Sequence, residues 1–252
     1  ISSAAAFGAA FGVIILGAGS TQSGTADPVM LNNPYAVTAS AFLWSLVSTV
    51  VIFLLAKYKG ATPEVIILTG IILGSLFSAG ITALQYFADD IEISTVVFWT
   101  FGDVGRASWR DFSILLVVVV IAMIIFIRNR WNYNALDAGD EVAKSLGVHV
   151  ERTRLGGMVT ASLATAIAVS FFGIIAFVGL VVPHIVRRLI GGDERFLIPA
   201  SALFGGMFLL VSDTLARTLL APVVLPVGIL TSFLGAPLFL YLLIRGIGRG
   251  YW

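Results

Sequence analysis

The chain has 252 residues, of which 58% are hydrophobic and only 12% charged, with a mean hydropathy of +1.01. A water-soluble domain carries about 25% charged residues, so this chain cannot clothe itself for water, and lipid is the solvent for most of its side chains. A net charge of +1 excludes the electrostatic footprint of a nucleic-acid binder, and the lack of cysteine removes disulfides, thiol nucleophiles and thiolate metal sites.

The sequence opens at Ile1 without Met or a basic leader, so no cleavable signal peptide is visible. The abrupt start, ISSAAAFGAAFGVIILGAG, points to a missing N-terminus. A spanning helix needs about 20 mostly apolar residues, fewer where protein surrounds it. On that measure a first span covers about 2–18, its Gly and Ala suited to close helix packing. Residues 19–34, GSTQSGTADPVMLNNP, read as a polar loop. A second span runs from about 35 to 56 and stops at Lys57 and Lys59. A third follows Pro63 and runs to about 87. The mixed segment 88–109 reads as an interfacial helix and loop, and a fourth span covers about 111–127 before Arg128 and Arg130.

Next comes a charged island, DAGDEVAKSLGVHVERTR, at 137–154. Its pattern predicts a short helix over 138–146 with Asp137 as N-cap, Asp140 and Glu141 at the positive end, and Gly147 closing it. Val142 and Leu146 share a face at i, i+4. A second turn over 149–154 leads into the next span. A solvated loop is the plain alternative, but a loop needs neither cap nor apolar stripe, so the pattern favours a docking element for a soluble partner. Beyond the island, Leu155 to Val186 contains no Asp, Glu, Lys or Arg. This predicts a full span over 156–172, a re-entrant turn near Gly173 and Gly179, and a short helix through about 190. Irregular backbone at that depth is tolerated only inside protein or along a wet cavity, which hints at a pathway. Further spans cover about 196–219 and 227–244.

With these spans, Lys57, Lys59, the basic residues from Arg128 through Arg154, Arg187, Arg188, Arg195, Arg245 and Arg249 fall on one side. Arg106 and Arg110 fall on the other, and Arg217 lies within a span. By the positive-inside rule the island is cytoplasmic. The expected fold class is all-α, a polytopic membrane helix bundle of about eight spans.

Asp213 and Arg217, at i, i+4, can pair on one face; a charge at mid-bilayer costs at least about 2.5 kcal/mol, so a structural ion pair is one reading. Gly70, Gly74 and Ser78 share one face of the third span, spacing that usually signals close helix packing. His184 and His149 are the only histidines, so a multi-His metal site is not available and no metal site is expected. Packing at a helix start is the expected role of His184. No Gly-x-x-x-x-Gly-Lys-Ser/Thr occurs, so the chain does not bind ATP by a P-loop.

SLGVHVERTR, GIIAFVGLVVPHIVRRLIGGDER, LLVSDTLAR and LPVGILTSFLGAPLFLYLL occur in that order, and nearly the whole chain resembles the permease subunit of type II ABC importers. That family takes up vitamin B12, ferric siderophores, haem and, in some members, molybdate. The resemblance implies a ten-helix fold of which this chain would lack the first two helices, with 1–252 forming a single transmembrane permease domain in the cytoplasmic (inner) membrane of a prokaryote. It implies a homodimer in lipid, two ATPase subunits that carry the ATP and Mg, an extracytoplasmic binding protein, and no cofactor on this chain. Carried over by position, Asp140, Glu141, Ser145, Leu146, Gly147 and Val148 would form coupling helices that dock on the ATPase. Arg217, with Arg106 as a weaker second contact, would meet the binding protein. Thr62 and Glu64 would stand at the cytoplasmic gate, and Gly70, Gly74 and Ser78 would line the path. The substrate would be a metal chelate, with an oxyanion permease as the alternative. An ion-coupled secondary transporter would need ionisable residues at mid-membrane, where only Asp213 and Arg217 are candidates. An intramembrane enzyme is disfavoured because no catalytic set stands out.

Overall fold

The computed structural model describes residues 1–19 and 33–247; the predicted polar loop falls mostly outside them, as does Arg249. Among the described residues there are helices and no strands. In chain order they are α1 (Ser2–Ile14), α2 (Pro34–Lys59), α3 (Pro63–Tyr86), α4 (Asp90–Thr100), α5 (Trp109–Arg128), α6 (Arg130–Asp137), α7 (Asp140–Ser145), α8 (Val150–Phe172), α9 (Val178–Ile190), α10 (Glu194–Thr218) and α11 (Val227–Ile247), with a short 3-10 turn at Val104–Arg106. Helices occupy the seven predicted spans and the predicted short helix through about 190. Five of them, α2, α3, α5, α8 and α10, are long and apolar enough to cross a bilayer. α1 is shorter than its predicted span, and with 13 residues it is about 20 Å long.

The helices form two compact units. The first contains α1 to α4, the 3-10 turn's last two residues, α5 up to Ala122, and α8 with its exit to Ile174. Its core is built on α1, whose buried Ala5, Ala9 and Val13 pack with Val37 and Ala41 of α2, Trp99 of α4 and Val169 of α8. Small residues make that approach possible. A Cβ on Gly8 would lie 2.5 Å from the Ser40 carbonyl oxygen and 2.7 Å from Ala41 Cα. The Ser40 hydroxyl donates to the Gly8 carbonyl at 2.6 Å, which ties the two backbones together. Phe7 stands edge-on to Trp44, ring centroids 4.8 Å apart, and also packs on Phe77.

Helix boundaries follow local chemistry. Asn33 caps α2 by accepting from the Ala36 amide at 3.2 Å, with Pro34 at the first helical position. Thr62 does the same for α3, ahead of Pro63. Gly60, at φ +90, separates these two helices in a conformation that side-chain-bearing residues rarely adopt.

The second unit contains 101–104, the end of α5 from Met123, α6, α7, and α9 to α11. Its apolar core joins Val182 and Val186 of α9 to Leu197 of α10, with Phe204 and Phe208 against them. Where the sequence predicts a re-entrant turn, residues 173–177 between α8 and α9 are non-helical. Phe177, which precedes α9, is left-handed at φ +66. That costs a non-glycine residue about 1–2 kcal/mol. Phe177 is held by Gly235 of α11, where an added Cβ would lie 2.4 Å from the Phe177 Cβ.

Candidate functional site

The charged island forms α7 and the turns around it. α6 ends at Asp137, the chain turns at Gly139 with φ +106, and α7 begins at Asp140. Asp137 is therefore not the N-cap that the sequence predicts. It closes α6 from within the helix, where its carboxylate accepts from Arg187 Nη2 at 3.1 Å, and Gly139 takes the cap position without a side-chain bond. Asp140 and Glu141 do occupy the first turn of α7, next to its positive end. Glu141 and Lys144 pair at 3.1 Å on the exposed side, where such a contact adds little.

The C-terminal end of α7 is closed as the sequence predicts. Gly147, at φ +81, donates to the Lys144 carbonyl at 3.0 Å, and Val148 donates to the Ala143 carbonyl at 3.0 Å. These two bonds make a Schellman motif. Ala143 is fully buried, whereas Val142 and Leu146 are 44% and 68% exposed. α7 thus presents a rigid apolar pair outward. Asp140, Glu141, Ser145, Leu146, Gly147 and Val148 all lie on this one helix and its closing turn.

A polar lattice anchors this region within the same unit. The Asn134 side chain of α6 donates to Asp193 Oδ1 at 2.9 Å and accepts from the Glu194 amide at 2.7 Å. Asp193 caps α10 by accepting from the Arg195 amide at 3.0 Å, and its carboxylate also accepts from Arg195 Nε at 2.8 Å. Hydrogen bonds from Arg195 and then Asn134 hold the Asp193 carboxyl well below the usual carboxylate range. The Arg195 guanidinium lies over the Trp131 ring at 4.7 Å. Arg187, in the last turn of α9, donates to Asp137 and also to Glu194 at 2.9 Å. Tyr133 is pushed up by burial and then by the Glu194 charge.

The sequence reading missed this lattice. Asp193, placed after Gly191 and Gly192 and ahead of an apolar run, carried a readable cap signal. The Asn134 contact, 59 residues away along the chain, carried none.

At the other candidate positions, Arg217 Nε donates to Asp213 at 2.8 Å, the predicted i, i+4 pair, and the Arg217 side chain remains half exposed. In the first unit, Arg106 Nη2 donates to the Phe98 carbonyl at 2.6 Å, so its guanidinium also serves the end of α4. Thr62 and Glu64 start α3, Thr62 as its cap. Arg154 Nη1 donates to the Ala61 carbonyl at 2.9 Å, pinning the loop ahead of that cap to α8.

The face of Gly70, Gly74 and Ser78 is not a packing seam in this unit. Gly70 has nothing within 4 Å of an added Cβ, and Gly74 meets only Ser3 Oγ at 3.8 Å. The close approach on α3 falls instead at Gly80, where an added Cβ would lie 2.7 Å from the Phe7 ring. His184 packs edge-on to Phe239, and its Nδ1 donates to the Leu180 carbonyl at 2.8 Å, which is a packing role inside α9 rather than at its start. Among the described residues no group of three or more His, Cys, Asp or Glu could hold a metal ion.

The family model described as the FecCD transport family matches residues 1–245. The chain belongs to the FecCD transport family. Its relatives include a protein of Methanocaldococcus jannaschii named as an ABC transporter permease, 58% identical over 97% of this chain and 70% of that protein. A hemin transport system permease of Yersinia pestis is 37% identical over 84% of this chain and 63% of its own length. A cobalamin import system permease of Halobacterium salinarum is 41% identical over 82% of this chain and 56% of its own. The chain therefore spans less than two thirds of these last two relatives.

Among solved structures, an inward-facing metal-chelate type ABC transporter matches with a TM-score of 0.82 and 29% identity, over 97% of this chain and 73% of that one. Membership in the FecCD family makes this chain a multi-pass membrane protein with an all-α permease fold. The four motifs quoted from the sequence all lie within the matched region.

Proposed function

We propose that the chain is the membrane subunit of an ATP-driven importer that carries a metal chelate across the cytoplasmic membrane by alternating access. The observation that carries this reading is α7. It is a short helix closed at its C-terminal end by a Schellman turn, with Val142 and Leu146 facing outward beside acidic and basic neighbours. A chain without a P-loop must receive the work of ATP through a contact, and a rigid, apolar, solvent-facing helix suits that contact. Relatives named for hemin and cobalamin import support chelates as the substrate class.

In this reading the chain forms one transmembrane permease domain. Two copies enclose the pathway, two ATPase subunits bind the ATP and Mg, and an extracytoplasmic protein delivers substrate. α7 meets the ATPase through Asp140, Glu141, Ser145, Leu146, Gly147 and Val148. Arg217, with Arg106, meets an acidic surface of the binding protein. Thr62 and Glu64 stand at the inner gate, and the open face of Gly70, Gly74 and Ser78 lines the path.

The test is reconstitution of the full-length protein in vesicles with its ATPase and binding protein. Uptake of a ferric siderophore, cobalamin or haem that requires ATP is the expected result. Uptake by the permease alone, driven by an ion gradient, would overturn the reading. Leu146→Asp removes half of the apolar pair without touching the α7 backbone. It should leave the permease folded and lower uptake at least tenfold, the loss of about 1.4 kcal/mol in docking.

A further inference from the structure

Within the second unit α7 packs on α6, α6 packs on α10, and α9 packs on α10. The ends of three of these helices meet at one side chain. Arg187 lies in the last turn of α9, Asp137 is the last residue of α6, and Glu194 is the first of α10. Arg187 Nη2 uses both of its hydrogens, one to Asp137 at 3.1 Å and one to Glu194 at 2.9 Å. The Glu194 side chain is only 13% exposed, so it needs its cationic partner, and Asp137 shares that partner. Asn134 adds a second tie between α6 and the start of α10.

We propose that Arg187 is a positioning residue that makes α6, α7 and the α9–α10 turn move as one body. A push on Val142 and Leu146 that passes to α6 through the packing of α7 on α6 then reaches α9 and α10 instead of being lost as a shift of α6 against them. This rests on α7 being the docking helix of the proposed function. The half-exposed Arg187–Asp137 pair contributes little to stability, so stability accounts for the contact with Glu194 but gives a weak account of the second one, with α6. Removing Arg187 would leave two carboxylates facing each other without a shared cation, and α6 would be free to shift against α10.

The test uses the full-length protein assembled with its ATPase and binding protein in vesicles. These 252 residues contain no cysteine, so spin labels can be placed at Lys144→Cys on α7 and Leu189→Cys on α9 of one copy once any cysteine elsewhere in the assembly is replaced by serine. With Arg187 intact, the label-to-label distance should be one narrow population with and without ATP. Arg187→Gln should broaden it. The same variant should hydrolyse ATP within about twofold of the parent rate while uptake per ATP falls about tenfold. Arg187→Lys keeps the charge and the donors, and should restore most of both signals. Asp137→Asn should reproduce part of the loss.

A narrow distance in Arg187→Gln overturns the anchoring role. A broadened distance with unchanged uptake per ATP overturns the transmission role. The distance measurement requires no transport, so it judges Arg187 even where the uptake assay rejects the chain as a permease.

Discussion

Asn134 binds two partners with one amide. Asn134→Ala removes the donor to Asp193 and the acceptor of the Glu194 amide together, and should lower stability by about 1–2 kcal/mol in thermal unfolding in detergent. Asn134→Asp keeps an acceptor for that amide but sets a second carboxylate against Asp193, so it should recover little of the loss. Asp193 carries its own pH signature. Its folded carboxyl is held below the usual range by Arg195 and Asn134, so its contribution is complete above the ordinary carboxylate pKa of about 3.9. That contribution is lost as pH falls through the depressed folded value. The stability difference between the parent and Asp193→Asn should therefore be equal at pH 7 and pH 5 and shrink in stronger acid. At this scale the sequence was legible where chemistry is local. The Gly147 closure and the Asp213–Arg217 pair follow from spacings of a few residues. Asp137 was misassigned because its partner, Arg187, lies 50 residues away.

The predicted spans became helices because hydropathy is a sum over neighbours and needs no knowledge of the fold. Their packing was not legible in the same way. Small residues at spacing four marked Gly70, Gly74 and Ser78, yet in the first unit the tightest approaches are at Gly8 and Gly80, where a particular neighbour happens to arrive. A paired substitution separates the two cases. Gly8→Ala drives a methyl group into the backbone of α2 and should destabilise by about 1–3 kcal/mol, with α1 forced away from α2. Gly70→Ala enters open space and should be neutral or slightly stabilising, since alanine is the better helix former. Parallel thermal unfolding of the two variants decides this. α5 shows what composition alone resolves. Among its residues only Ala122 is buried, in a half-buried stripe with Leu115, Val118 and Ile125, and the rest of its Val, Ile and Leu side chains are exposed, so lipid or another subunit must cover them.

At the scale of the whole assembly, Arg217 is where the proposed docking role can be told from a structural one. Arg217→Glu should weaken binding-protein affinity at least tenfold, the effect of about 1.4 kcal/mol, while Asp213→Asn, which frees the same guanidinium, should leave affinity unchanged or higher. Equal losses in both would make the pair structural only; binding measured on reconstituted full-length permease reads the difference. Partners and substrate stay outside what one chain encodes, since neither leaves a spacing or a cap to read. The left-handed turn at Phe177 also bears on how the protein is made. Phe177 leaves the ribosome well before Gly235, the residue whose missing side chain gives it room. The contact that packs the turn into α9 against α11 therefore cannot form during the turn's own synthesis. It must wait in the membrane for a later helix, so insertion of α11 completes the fold of a segment already delivered.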